Sequence, residues 1–144
     1  MKAAVTTVAS PAPALSSSPR ARIDPGIFVG DWTTTNQQTQ GIARLIVREV
    51  DGRLFVRAFG ATPPSLCDWG EAAAAVFADG PDSSAPRAFT ARFDLDFKEV
   101  SLQAKVKKGV LVVANFNRFR DDSGRAPFFS REFFYRAPTP ESGR

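Results

Sequence analysis

Residues 41–60, GIARLIVREVDGRLFVRAFG, constrain the fold more than any other stretch of the chain. Two runs rich in Val, Ile, Leu and Phe meet at Asp51-Gly52, and an Asp-Gly pair between β-type arms predicts a two-residue hairpin. The type I′ turn needs φ > 0 at both central residues, which Asp tolerates and Gly takes freely. On the second arm Leu54, Val56 and Ala58 alternate with Arg53, Phe55, Arg57 and Phe59. On the first, Ala43, Leu45 and Val47 alternate with Ile42, Arg44, Ile46 and Arg48. Both arms have period two, the signature of strands. Neither face is purely polar, so both inside-out assignments stay open.

The rest of the chain repeats this form. Strands are predicted at Ile27–Thr34, Gly41–Val50, Arg53–Gly60, Glu71–Ala78, Pro86–Asp94, Lys98–Lys107, Val110–Phe119 and Phe128–Arg136. The run EAAAAVFA at 71–78 has the strongest local helix propensity, but its place between strands argues for a strand. Residues 61–70 read as a loop that Pro63-Pro64 opens and Cys67-Asp68-Trp69-Gly70 ends. In the sixth strand Val100, Leu102, Ala104 and Val106 alternate strictly with polar residues, one dry face and one wet. Short strands at about ten-residue spacing form an antiparallel meander. An eight-stranded up-and-down meander closes on itself because closure removes its edges. The expectation is an all-β barrel over residues 26–137. Residues 1–25, rich in Ala, Ser, Thr and Pro, read as a disordered leader, and 138–144 as a disordered tail. A secretory signal is the rival reading of the leader. Its apolar stretch is broken by polar residues and prolines, so the expected location is cytoplasmic.

Composition narrows the function classes. With 144 residues the chain can bury a core, and its 13 Phe suit a sheet interior that asks for no hydrogen-bond partner. There is no His and a single Cys, Cys67. Histidine-based triads, the usual zinc and haem ligands and an internal disulfide are therefore excluded, and no metal or other cofactor is expected. The net charge of +4 comes mostly from arginines scattered along strands rather than clustered beside aromatics, which argues against nucleic acid as a partner. No run approaches the about 18 apolar residues of a membrane helix.

Gly30-Asp31-Trp32 on the first strand resembles the Gly-x-Trp opening of the calycins, the lipocalin, fatty-acid-binding and avidin-like barrels. The resemblance implies a tryptophan packed at the closed end of the barrel beneath a basic residue of the last strand, here Arg131 or Arg136. It also implies a barrel that holds a small molecule. No match to avidin biotin-site residues is apparent, and the haem-binding nitrobindin-like branch lacks its histidine here. Trp32, Gly41-Ile42, Cys67-Asp68-Trp69-Gly70 and Asp122-Ser123-Gly124-Arg125 are also similar to a family of short bacterial proteins, a likeness that carries no activity.

The candidate ligand-binding residues are Trp32, Asn36, Arg44, Arg57, Trp69 and Arg92. Trp32 serves either as a plug or as a ligand contact. Trp69 either covers a ligand at the barrel mouth or pins its own loop. If Arg44, Arg57 or Arg92 faces inward, the cavity accepts an anion by bidentate pairing; if outward, these arginines, like Arg48, are solubilising. Cys67 is expected to be a buried packing residue, and Asp121-Asp122-Ser123-Gly124 a plain turn rather than a calcium loop. Two functions compete. One is a binding protein for a small, partly apolar molecule able to carry negative charge. The other is a cofactor-independent isomerase or cyclase that holds its substrate in a reactive shape, with an interior Asp or Glu such as Glu132 as acid and an arginine stabilising the developing negative charge. Aromatics on both faces of the eighth strand suggest a homodimer.

Overall fold

The computed structural model describes residues 23–62 and 65–137. Most of the predicted leader, the Pro63-Pro64 step and the predicted tail lie outside the described residues. Eight strands follow in order: β1 (Gly30–Thr34), β2 (Ile42–Val50), β3 (Arg53–Thr62), β4 (Ser65–Ala78), β5 (Pro86–Asp94), β6 (Lys98–Lys107), β7 (Val110–Phe119) and β8 (Phe128–Arg136). Each pairs antiparallel with the next, and β8 returns to β1, giving a closed up-and-down barrel. The seam is short: Trp32 lies opposite Arg136 and Thr34 opposite Phe134. It is extended by backbone bonds from Thr35 to Phe133 (2.9 Å) and from Ala137 to Asp31 (2.7 Å).

Turn chemistry sets the register. Asp51 and Gly52 have φ of 51° and 80°, as the type I′ hairpin requires, and Lys108-Gly109 repeats the pattern at 53° and 81° between β6 and β7. Period two then sends Leu45 and Val47, Leu54, Val56 and Ala58, Phe89, Ala91 and Phe93, Val100, Leu102 and Ala104, and Leu111 and Val113 into one interior cluster.

Three expectations need correction. Ile27 and Phe28 do not begin a strand. Pro25–Phe28 form a 3₁₀ turn, because Pro25 suits its first position and the Asp24 side chain caps it by accepting from Gly26 N (2.9 Å). This turn buries Phe28 edge-on against Phe89, centroids 5.1 Å apart, and closes one end of the barrel. Residues 61–62 and 65–70 are strand rather than loop: β3 runs to Thr62 and β4 starts at Ser65, making β4 a 14-residue strand. Finally, the alternation on β2 breaks at a bulge. Ile42 faces Gly60 and Arg44 faces Phe59, so Ala43 is the extra residue and Ile42 joins Leu45 and Val47 inside.

At the closed end Trp32 is fully buried and its indole N–H donates to the Phe28 carbonyl (2.9 Å). The Arg136 guanidinium lies 4.3 Å from the Trp32 ring and donates to the carbonyls of Ile27 (2.8 Å) and Val29 (3.0 Å). One cation thus ties the last strand to the 3₁₀ turn and caps the indole.

Candidate functional site

The other end of the barrel is open and holds a cavity of about 640 Å³. That volume falls within the ordinary range for small-molecule sites. Its walls come from several elements. The β1–β2 loop supplies Asn36 and Thr39, β4 supplies Trp69, β6 supplies Lys98 and Val100, and β7, β8 and their connection supply Asn115, Asn117, Arg125, Phe128, Ser130 and Glu132.

Trp69 reaches this cavity through a second bulge. Ala58 lies opposite Gly70 and Phe59 opposite Asp68, which leaves Trp69 as the residue without a partner across the ladder. Gly70 takes φ 91°, a left-handed value natural to glycine. The Asp68 carboxylate accepts from Gly70 N (2.8 Å) and is gripped on the outside of the barrel by the Arg57 guanidinium. Released from the strand's alternation, the indole packs edge-on to Phe93, centroids 5.9 Å apart, and lies on the bare Cα of Gly60. A bulge re-aims a side chain where strict pairing would not.

Lys98 has the same parity as Val100 and Leu102 and so points inward at the mouth. Its ammonium donates to Asn117 Oδ1 (3.0 Å) and sits 5.4 Å from the Trp69 ring and 5.8 Å from that of Phe119. Burial, and secondarily the nearby Arg125 charge, lower its pKa from the usual lysine value. Arg125 lies 4.0 Å from the Phe119 ring and is held by Asp121 (2.9 Å) and Ser123 (2.9 Å). Asp121 is occupied by these contacts and by Ser123 N (3.2 Å) and Oγ (2.6 Å), so the loop is a self-bonded turn. Phe128 stacks on Phe119, centroids 5.9 Å apart, and extends the aromatic wall.

On β8 Glu132 points inward. The Thr39 hydroxyl donates to its Oε2 (2.7 Å), and the same oxygen lies close against Gly41. Among the described residues its Oε1 is buried without a partner, as is Asn115 Oδ1, whose amide nitrogen donates to Ser130 Oγ at 3.4 Å. Asn36 lines the rim while its own Oδ1 accepts from Gln38 N (2.9 Å), ordering the loop.

Of the predicted site residues, the structure brings Asn36 and Trp69 to the cavity and places Trp32 at the closed end. The condition on the arginines resolves outward. Arg44 pairs bidentately with Asp31 (2.8 and 2.6 Å), Arg57 with Asp68, and Arg92 with Glu99 (3.0 Å) and Asp94 (3.3 Å), all on the outer surface. The reason is register: the inward positions of β2, β3 and β5 belong to Leu45, Val56, Phe89 and their kin. Cys67, expected to be buried, is exposed, because it lies on the stretch of β4 that extends beyond the barrel's packed layer. The cations of the cavity are instead Lys98 and Arg125.

Neither family models, nor curated proteins, nor solved structures match this chain.

The cavity's chemistry therefore has to be argued from its own side chains. Among the described residues no group of three or more His, Cys, Asp or Glu is placed to hold a metal. No helix among them is long and apolar enough to cross a membrane.

Proposed function

We propose that the protein is a calycin-like binding barrel that holds a small, partly apolar anion at its open end. The observation that carries this reading is the pairing of Lys98 and Arg125 around Phe97 and Phe119, with Trp69 and Phe128 beside them. Lys98 has no carboxylate within 4.0 Å among the described residues, so its charge is available to a ligand. Aromatic faces offer burial to an apolar body, and Lys98 supplies charge-assisted hydrogen bonds to a carboxylate or phosphate, with Arg125, held by Asp121, beside it. The Trp32–Arg136 stack supports the calycin-like assignment, since it reproduces the closed-end geometry that the Gly30-Asp31-Trp32 resemblance implies.

Native mass spectrometry of protein purified from its own source tests this reading. The expected result is a stoichiometric small-molecule adduct that is lost from a Lys98→Met, Arg125→Met double variant. Full retention by that variant would overturn the reading. The isomerase or cyclase alternative is less well supported. Glu132 does face the cavity, but its partner is the Thr39 hydroxyl, and the strand arginines that would oppose it lie outside.

The outer face of β7 and β8 favours self-association. Phe116, Phe129, Phe133 and Tyr135 are all exposed there, Phe129 to 55%, and Phe116 contacts Phe129 at 5.2 Å between centroids. A contiguous aromatic strip of this kind fits a homodimer. Light scattering at high concentration should show a dimer that Phe133→Lys dissociates; a strict monomer would refute it.

A further inference from the structure

The cavity has a chemical polarity along its β6–β7–β8 wall. Lys98 and Arg125, on β6 and the β7–β8 connection, present only donors. Glu132 Oε1 and Asn115 Oδ1, on β8 and β7, are buried acceptors with no partner among the described residues. Such acceptors are uncommon in folded proteins, because an unpaired buried acceptor has lost its water without gaining a partner. Neither is an accident of a loose side chain. Asn115 is 3% exposed within the β7 ladder, and Glu132 is tethered by Thr39, whose hydroxyl also accepts from Gly41 N (3.0 Å). The tether fixes Oε2 and leaves Oε1 without a partner among the described residues, on a side chain that lines the cavity.

From this we infer that the ligand is bifunctional: an anionic group at Lys98 and Arg125, and a hydroxyl or N–H donor, held across an apolar body, at Glu132 Oε1 and Asn115 Oδ1. The inference rests on the binding reading above and specifies its ligand class as hydroxy or amino acids rather than simple apolar acids. A simple acid would fill the cationic end and leave both acceptors unpaired. A bifunctional one relieves them, and relief of one such acceptor is worth on the order of tenfold in affinity.

Matched probes test it by titration calorimetry with the full chain. One set is para-hydroxyphenylpropionate, phenylpropionate and para-hydroxyphenylpropanol; the other is ω-hydroxydecanoate and decanoate. The hydroxy acids should bind on the order of tenfold more tightly than their deoxy counterparts, and the uncharged alcohol should bind more weakly than the hydroxy acid. In Glu132→Met the hydroxy preference should shrink toward that left by Asn115 alone, with deoxy-acid affinity retained. In Lys98→Met both acids should weaken while the hydroxy preference persists. Equal affinity of hydroxy and deoxy acids for the wild-type protein, with both weakened by Lys98→Met, would overturn the inference and leave the binding reading standing. Absence of binding by every probe would overturn both. The wild-type comparison is decisive even if a variant fails to fold.

Discussion

Gly60 and Trp69 offer the sharpest test of how the mouth is built. A Cβ placed on Gly60 would lie 2.7 Å from the indole Nε1 and 3.0 Å from both Cε2 and Cζ2. Optimal contact is about 3.5–4.0 Å, so Gly60→Ala must drive the ring back by about 1 Å. Retreat is difficult because the indole is packed against Phe93 on one side and near Lys98 on the other. Overpacking of this kind costs about 1–3 kcal/mol. Replacing glycine by alanine also restricts the unfolded chain, which returns about 0.4–1 kcal/mol. The net expectation is a loss of about 1–2 kcal/mol in urea unfolding, together with altered Trp69 emission against the unchanged signal of buried Trp32. The double-mutant cycle isolates the cause. In a Trp69→Ala background Gly60→Ala should be neutral or slightly stabilising, giving a coupling of about 1–2 kcal/mol. Equal destabilisation in both backgrounds would refute the claim that glycine is there to seat the indole.

Other perturbations have equally definite outcomes. Arg136→Met removes the cation over Trp32 and two hydrogen bonds to the 3₁₀ turn, and should cost about 1–3 kcal/mol in urea unfolding, whereas Arg131→Met should cost little. The Arg44 hydrogen bonds hold the Asp31 carboxyl below the usual range against the opposing effect of partial burial. The unfolded chain thus binds that proton first, so the contribution is present above the ordinary carboxylate pKa and fades as pH falls through the lowered one. The melting-temperature difference between wild type and Asp31→Asn should therefore vanish in acid. Its persistence there would sink the argument. For Lys98 the lowered pKa means that the unfolded chain holds the proton to higher pH, so wild-type stability should rise as pH climbs through the alkaline range. Thermal melts of Lys98→Met should lack that rise. Finally, Arg57→Met should loosen the Trp69 bulge through Asp68, detected as faster exchange of the Gly70 amide; unchanged exchange would mean that the bulge holds itself.

Much of the barrel was legible in the chain, and the failures share a cause. β5 to β8 begin and end where alternation and turn residues predict, because each is bounded by a loop or a Lys-Gly turn. The misreadings cluster where period two is interrupted. Ala43 and Trp69 are both bulge residues, so counting by twos across them assigns the wrong face, and Cys67-Asp68-Trp69-Gly70 looks like a loop when it is a strand with one residue too many. The site was partly visible. Trp69 and Asn36 stood out by type, and the arginines were chosen by charge alone while their parity was unresolved. Parity was the better signal: Lys98 shares the dry register of Val100 and Leu102, and Asn115 and Asn117 that of Leu111 and Val113. Polar residues on a dry face mark an interior that is not meant to be dry. Arg125 could not be found this way, since it comes from a turn whose hydrogen bonds, not its periodicity, aim it at Phe119.

The Arg136 latch has a consequence for synthesis. Its guanidinium binds carbonyls more than a hundred positions earlier in the chain, at Ile27 and Val29, and the β1–β8 seam closes beside it. Until β8 has emerged from the ribosome, β1 exposes unpaired backbone, and Trp32 has no cation above it. The nascent meander can zip hairpin by hairpin from β2 onward, since each pairing is local, but the ring shuts only when residue 136 has left the exit tunnel. Nascent chains stalled just before and just after that point should differ abruptly in protease resistance, as a clasp does when its last link engages.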